Sequence, residues 1–439
     1  MKHKKGLIVF TALFSVVVFL GIFLMMWFWG DEYPDFDSVS FREEIAIPGL
    51  KDGACPQGLA IAKGNTYSKD GEIVYKKDSE GKPDESQPVT EDYYFVSAYF
   101  KEGPSRIYVT GKNSGYLGYV SLTYGGKPFR GHVGGVATDG VRWLWVGSES
   151  TVYCIKRLDT KKTIVDELIL SCRENGELAL DSETAASFKV NGSASFVSYY
   201  KASSSTSSST ERLYVGEFYR AGNYETPESH HITLPDGTVN RAFMYEYNVY
   251  SYDSTTNPYG LYMISSDEKL DKQVPRVQRI YSIPDRIQGV ARVSGSNDDN
   301  KGDVLILSQS YGLANSEIMM YNFKTIEESG NHQMYTTLVN SDGFEYSDVT
   351  YGGVRSYYDT SVYVYYVFGK DNVQTLDSTG AKMYPSFIRS YSLPSMSEGL
   401  AVGSDDRVNI LFESSASKYK MFVRQPLDKI YSFRPTHVR

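Results

Sequence analysis

The sequence predicts an all-β chain: a β-propeller of five four-stranded blades behind one N-terminal transmembrane helix. Three observations carry that expectation. "YSIPDRIQGVA" at residues 281–291 returns as "YSLPSMSEGLA" at 391–401. Helical periodicity is nearly absent after residue 30, while tyrosine, which suits a pleated and half-buried surface, occurs 37 times. Residues 7–29 are apolar and uncharged, and about 20 such residues span a bilayer.

The N-terminal run follows "MKHKK" and ends on Trp27, Phe28 and Trp29. It has no small-residue cleavage pattern and no lipidation cysteine, so it reads as an uncleaved signal anchor and not a removed leader. Lys2, Lys4 and Lys5 would hold the short end in the cytoplasm and place the rest outside the membrane. The expected organisation is therefore a cytoplasmic tip and anchor over 1–30, a short linker over 31–40, and a propeller over 41–439. The membrane is the expected partner of residues 7–29.

The chain has 439 residues, a formal charge of −8 and 41% hydrophobic residues. Without the three N-terminal lysines, 42 cationic and 53 anionic side chains remain, a balance of −11. A basic face for nucleic-acid phosphates is excluded by that balance. The three cysteines, Cys55, Cys154 and Cys172, show no metal-type spacing. Cys154 and Cys172 would face each other if "VYCIKRL" and "ELILSC" were neighbouring strands; the other reading is two buried free thiols.

Further copies of the repeat are "CPQGLA" (55–60), "HVGGVA" (132–137) and the weaker "GSASFV" (192–197). Each copy opens a small-residue strand. The aliphatic second strands are "YYFVSAYF", "RWLWVGSES", "RLYVGEFYR", "DVLILSQSYG" and "RVNILFESSA". Third strands follow at "SRIYVT", "STVYCI", "RAFMYEYNV", "SEIMMYNF" and "KYKMFV", and a fourth leads into the next copy. Small residues suit a strand at the crowded centre of a radial array. "REEIAIP" (42–48) would complete the last blade and close the ring by pairing the chain ends. The stretch 324–386, with "VRSYYDTSVYVYYVFG", leaves a sixth blade open as an alternative. The Ser/Thr run 203–210 and the polar segment 63–92 read as loops.

At "GGVATDGVRWLWVGSESTVYCI" the chain resembles secreted or membrane-anchored bacterial β-propellers of the lactonase-like and quinoprotein-like kind. The resemblance extends over residues 40–439 as a pattern and implies a fold. It carries over no catalytic, metal or cofactor residue.

Candidate site residues follow from the repeat. In a propeller the loops leading into the innermost strands share a face with those joining second and third strands, and an axial cavity there is a common ligand site. Gln57, Gln288 and Glu398 open innermost strands, with His132 equivalent in the second unit. A second polar column runs Ser148, Glu217, Gln309 and Glu413, with Ala98 the exception. A carboxylate or amide among apolar neighbours costs desolvation unless it has a partner or a ligand. The candidate ligand-binding set is thus Gln57, His132, Gln288, Gln309, Glu398 and Glu413, with Glu217, Glu398 and Glu413 as candidates for acid–base work. The bland alternative is backbone bonding or a watery channel. No metal site and no cofactor is expected. His230 and His231 with Glu217, and the acidic run 296–303, read better as loops than as ion sites. Asp139 reads as a hairpin turn.

No catalytic motif stands out, so the expected function is a membrane-tethered extracytoplasmic module. Its partner would be a surface glycan or a protein. The alternative is a hydrolase or lyase acting on a carbohydrate or lactone with axial carboxylates.

Overall fold

The computed structural model describes residues 33, 35–36, 41–202, 211–250, 256–263, 275–295, 302–328, 332–340, 343–347, 358–369 and 386–435. The apolar run 7–29, expected as a membrane anchor, the Ser/Thr run 203–210 and most of the acidic run 296–303 lie outside those residues. Among the described residues no helix is long and apolar enough to cross a membrane.

Five antiparallel sheets follow one another along the chain, each beginning at a copy of the repeat. Blade 1 runs outward from Cys55–Asn65 through Thr90–Tyr99 and Arg106–Gly111 to Gly115–Tyr124. Blade 2 comprises Gly135–Thr138, Trp143–Ser148, Thr151–Lys156 and Ala185–Lys189. Blade 3 comprises Phe196–Lys201, Glu211–Gly216, Ala242–Asn248 and Val277–Ile283. Blade 4 comprises Ile287–Val293, Val304–Gln309, Ser316–Asn322 and Phe387–Leu393. Blade 5 takes Ser397–Val402, Val408–Phe412 and Lys429–Phe433 from the end of the chain and Arg42–Ala46 from its beginning. Arg42 faces Ser432 and Glu43 faces Tyr431 across that last pair, so the ring closes by joining early and late strands. The linker is docked too: Phe36 packs 5.1 Å from Phe41 and 5.0 Å from Tyr431, and Asp35 accepts from the Ser392 N–H at 3.1 Å.

The glycines of the repeat sit where neighbouring blades converge. A Cβ on Gly135 would lie 2.2 Å from the Val197 backbone nitrogen of blade 3. One on Gly399 would lie 2.6 Å from the Leu59 nitrogen of blade 1. Backbone cannot retreat as a flexible side chain can, so only glycine fits. The third unit has Ser195 where the others have glycine, which explains why its copy reads weakest.

The core lies between blades. Trp143, Trp145, Val197, Leu213 and Phe243 join blades 2 and 3, while Phe196, Tyr214, Tyr281, Leu305 and Met319 join 3 and 4. All five second strands are almost wholly buried, which is why they read as continuous apolar runs and not as alternating ones.

Three expectations are corrected. The segment 324–386 makes no sixth blade among the described residues. Tyr358–Tyr366 pairs in parallel with Val277–Ile283, Ile280 facing Val364, and with His332–Asn340 and Gly343–Ser347 it widens blade 3 outward. "KYKMFV" is no strand: residues 418–423 form turns, with Met421 and Phe422 exposed, and Lys429–Phe433 is the third strand of blade 5. "LILSC" belongs to an α-helix, Ile164–Arg173. Thr163 and Asp166 form a reciprocal capping box at its start, and Ile164, Val165, Leu168, Ile169 and Cys172 give one buried face at helical spacing. Cys154 on its strand and Cys172 on this helix are therefore buried free thiols, as is Cys55.

Candidate functional site

An axial cavity of about 540 Å³ opens on the face where the innermost strands begin. Gln57, His132, Gln288, Glu398 and Glu413 all line it. Glu398 and Glu413 lie close enough for each to perturb the other's carboxyl. Blade 5 supplies both, Glu398 on its first strand and Glu413 directly after its second. Gln57 donates through Nε2 to Glu413 at 3.0 Å and to its neighbour's Pro56 carbonyl at 2.9 Å. Gln288 Nε2 reaches Glu398 at 3.4 Å.

Two carboxyls in contact away from water cannot both ionise cheaply. Burial raises the Glu398 carboxyl well above the usual range, and the Glu413 charge raises it further. Burial also pushes Glu413 up to about 7, against the opposing pull of Lys418 and of the bonds from Glu398 and Gln57. Near neutrality the pair therefore still holds a proton, and the two carboxyls titrate as a unit.

Aromatic rings form the walls. On one side the Tyr99 ring lies tilted 4.6 Å from His132, and Lys418 lies 4.8 Å over the Tyr419 ring with its Nζ donating to the Tyr99 hydroxyl at 3.3 Å. Burial lowers the His132 pKa, and Lys418 adds to that, so the imidazole is held neutral. Across the cavity Phe218 stacks on Tyr311 at 6.2 Å and meets Tyr224 edge-on at 5.3 Å. The Arg220 guanidinium covers the Tyr311 ring at 4.0 Å. Glu149 and Glu225 add two more carboxylates toward the rim.

Two of the expected residues sit elsewhere. Glu217 is fully buried beside the cavity and accepts from His230 Nδ1 at 2.9 Å and from the Phe243 N–H at 2.7 Å. His230 in turn stacks 4.3 Å from Phe243 and meets the Asn191 amide at 3.2 Å. Gln309 faces a separate cleft and donates to the Asp285 carbonyl at 2.8 Å. Asp139 fills its turn role, accepting from the N–H groups of Val141, Arg142 and Trp143 at 2.7–2.9 Å.

The second-strand column falls one residue short of the wall. Tyr99, Glu149 and Phe218 line the cavity where Ala98, Ser148 and Glu217 do not, and in blade 4 Ser310 and Tyr311 line it in place of Gln309. A one-residue step along an extended chain turns the side chain to the other face. Blade 5 alone presents the column residue itself, Glu413. Aromatic letters follow three of the five column positions, at Tyr99, Phe218 and Tyr311, whereas Lys418 and Tyr419 fall in "KYKMFV", which the sequence pattern assigns to a strand.

No family model and no curated protein matches the chain. Among solved structures it is similar to a Thermus thermophilus protein described as an oxidoreductase, a glucose dehydrogenase. The identity is 13% and the TM-score 0.33, over 90% of this chain and 99% of that one. That description belongs to the Thermus protein, and no residue role passes from it to this chain.

Proposed function

We propose that this chain is a membrane-tethered extracytoplasmic propeller that binds a surface glycan in its axial cavity. The observation that carries the reading is the combination of opposed aromatic walls with a base of amides and carboxyls, Gln57, Gln288, Glu398 and Glu413. Sugar rings present apolar C–H faces that stack on aromatic rings and hydroxyls that bond to amides and carboxyls. A cavity of about 540 Å³ falls within the size range of small-molecule sites. The tether rests on the apolar run 7–29 and the lysines before it.

Calorimetric titration of the full chain in detergent micelles with mono- and disaccharides of cell-surface polymers tests the binding. Saturable binding that Phe218→Ala and Tyr311→Ala each weaken about tenfold supports it, since an aromatic contact contributes about 1 kcal/mol or more. Binding indifferent to both substitutions sinks it. Protease treatment of intact cells tests the topology: a protected propeller would contradict the outward orientation.

A second reading, a hydrolase or lyase on a carbohydrate or lactone, is favoured by one feature. Glu413 rises to about 7, where a carboxyl can both give and take a proton. Turnover would then need one carboxyl as a single acid or base, with Glu413→Gln abolishing it.

A further inference from the structure

We propose that the saccharide taken by the axial cavity carries a free primary amine, whose ammonium seats on the Glu398–Glu413 pair. This deepens the glycan reading and rests on it.

Acidic side chains outnumber basic ones around the pair. Lys418, Glu149 and Glu225 are the other acidic and basic side chains that line the cavity among the described residues, His132 aside. His132 is held neutral by burial, and the hydroxyls of Tyr99 and Tyr419 and the thiol of Cys55 all have raised pKa values, with burial the leading cause. Two carboxyls at the base and two nearer the rim therefore share the cavity lining with one lysine. Lys418 can match one of the four and Arg220, over the Tyr311 ring, a second, so two stay unmatched.

Gln57 and Gln288 each spend a donor on the pair, and these are neutral amides. They do not offset the charge of a second ionised carboxylate, and the pair answers by keeping a proton. A ligand ammonium satisfies the same need with three donors and a full positive charge.

The walls suit the same group. Aromatic faces attract cations, and two wall rings already carry one: Lys418 over Tyr419 at 4.8 Å and Arg220 over Tyr311 at 4.0 Å. An acidic base between aromatic faces disfavours a uronate or a phosphorylated sugar and favours an amino sugar. An N-acetylated sugar has no charge to offer and makes a buried carboxylate no cheaper.

The proton balance follows. An ammonium entering at pH 6.5 displaces a proton of the pair, which leaves for solvent, so up to about one proton is released per ligand bound. A neutral sugar releases none.

The test uses the full chain in detergent micelles, titrated calorimetrically at pH 6.5 in two buffers of different ionisation heat. The probes are glucosamine, N-acetylglucosamine and glucose. Glucosamine should bind roughly tenfold tighter than the other two and release protons that they do not. Glu413→Gln should reduce that preference to near parity, with proton release lost. Should that variant misfold, Glu225→Gln at the exposed rim should cut the preference by roughly twofold without touching the buried pair. Equal binding of all three probes, or glucosamine binding without proton release, overturns the amine while leaving the glycan reading standing. Saturable binding of none of them removes both.

Discussion

Glu217 and Glu413 occupy the same place in their repeats, one residue past the second strand of blades 3 and 5, yet their surroundings are opposite. Glu217 is sealed against an imidazole and a backbone N–H, so each oxygen has a donor. Glu413 meets another carboxyl and opens onto solvent. A repeat fixes where a side chain starts; the loops that only one blade owns decide what it meets. In blade 3 the loop from Phe218 to Arg241 folds His230 back under the blade. In blade 5 the loop from Ser414 to Leu427 leaves Glu413 uncovered and brings Lys418 to the mouth. The first carboxyl serves the fold, and the second is available to a ligand.

The comparison is broken most sharply at His230. His230→Ala leaves a fully buried carboxylate with one donor, and loss of one partner of a buried pair costs about 3–5 kcal/mol. Denaturant titration should show that loss, with ligand binding by the surviving folded protein unchanged. A cost under about 1 kcal/mol would mean that the pair is not what holds the loop.

The pH dependence of stability separates the two carboxyls next. Glu398 and Glu413 bind protons more tightly folded than unfolded, because both are raised from the ordinary value of 4.5. Folding therefore takes up protons between about pH 4.5 and 7. Stability attributable to the pair is complete below about pH 4.5 and falls as pH rises through 7, by about 3 kcal/mol for Glu413 alone, and Glu398, raised well above its ordinary value, carries the fall to higher pH. Glu413→Gln should flatten the drop, and a drop of undiminished size in that variant would place its origin elsewhere in the molecule.

The smallest effect is expected at Lys418. Lys418→Met removes the cation that pulls Glu413 down and a contact with the Tyr419 ring. Stability should change by only about 0.5–1 kcal/mol. Carbon-13 NMR of the glutamate carboxyls should show Glu413 titrating higher than in the unaltered protein. An unmoved titration would mean that Lys418 is too well solvated to be felt.

The five-blade ring was legible because close approach leaves a chemical mark. Gly58, Gly135, Gly289 and Gly399 cannot be anything larger, so the same letters return wherever a neck is built. The closing strand Arg42–Ala46 was legible for a related reason, as it repeats the sequence that precedes other copies. Three elements were not legible as expected. "LILSC" carries apolar letters that fit a helix as well as a strand, and the deciding capping box lies upstream at Thr163. "KYKMFV" is apolar enough for a strand, yet it lies on the surface. The widening of blade 3 depends on a parallel pairing between segments about 80 residues apart, which local pattern does not encode. At the site, the repeat marks the innermost residues, and the wall lies one residue past the polar column because the last position of a strand does not announce which way it turns.

The joining of Arg42–Ala46 to Lys429–Phe433 has a consequence for biogenesis. The strand that completes blade 5 is made about 390 residues before its partner, on the order of 20–80 s of ribosome time. During that interval the nascent chain has four complete blades available but no closed ring, and the open edges of blades 1 and 5 are templates for wrong pairing. Loss of the final strand by a premature stop would therefore not shorten the protein quietly; it would leave the early strand without its mate and expose the chain to aggregation or to quality-control proteases.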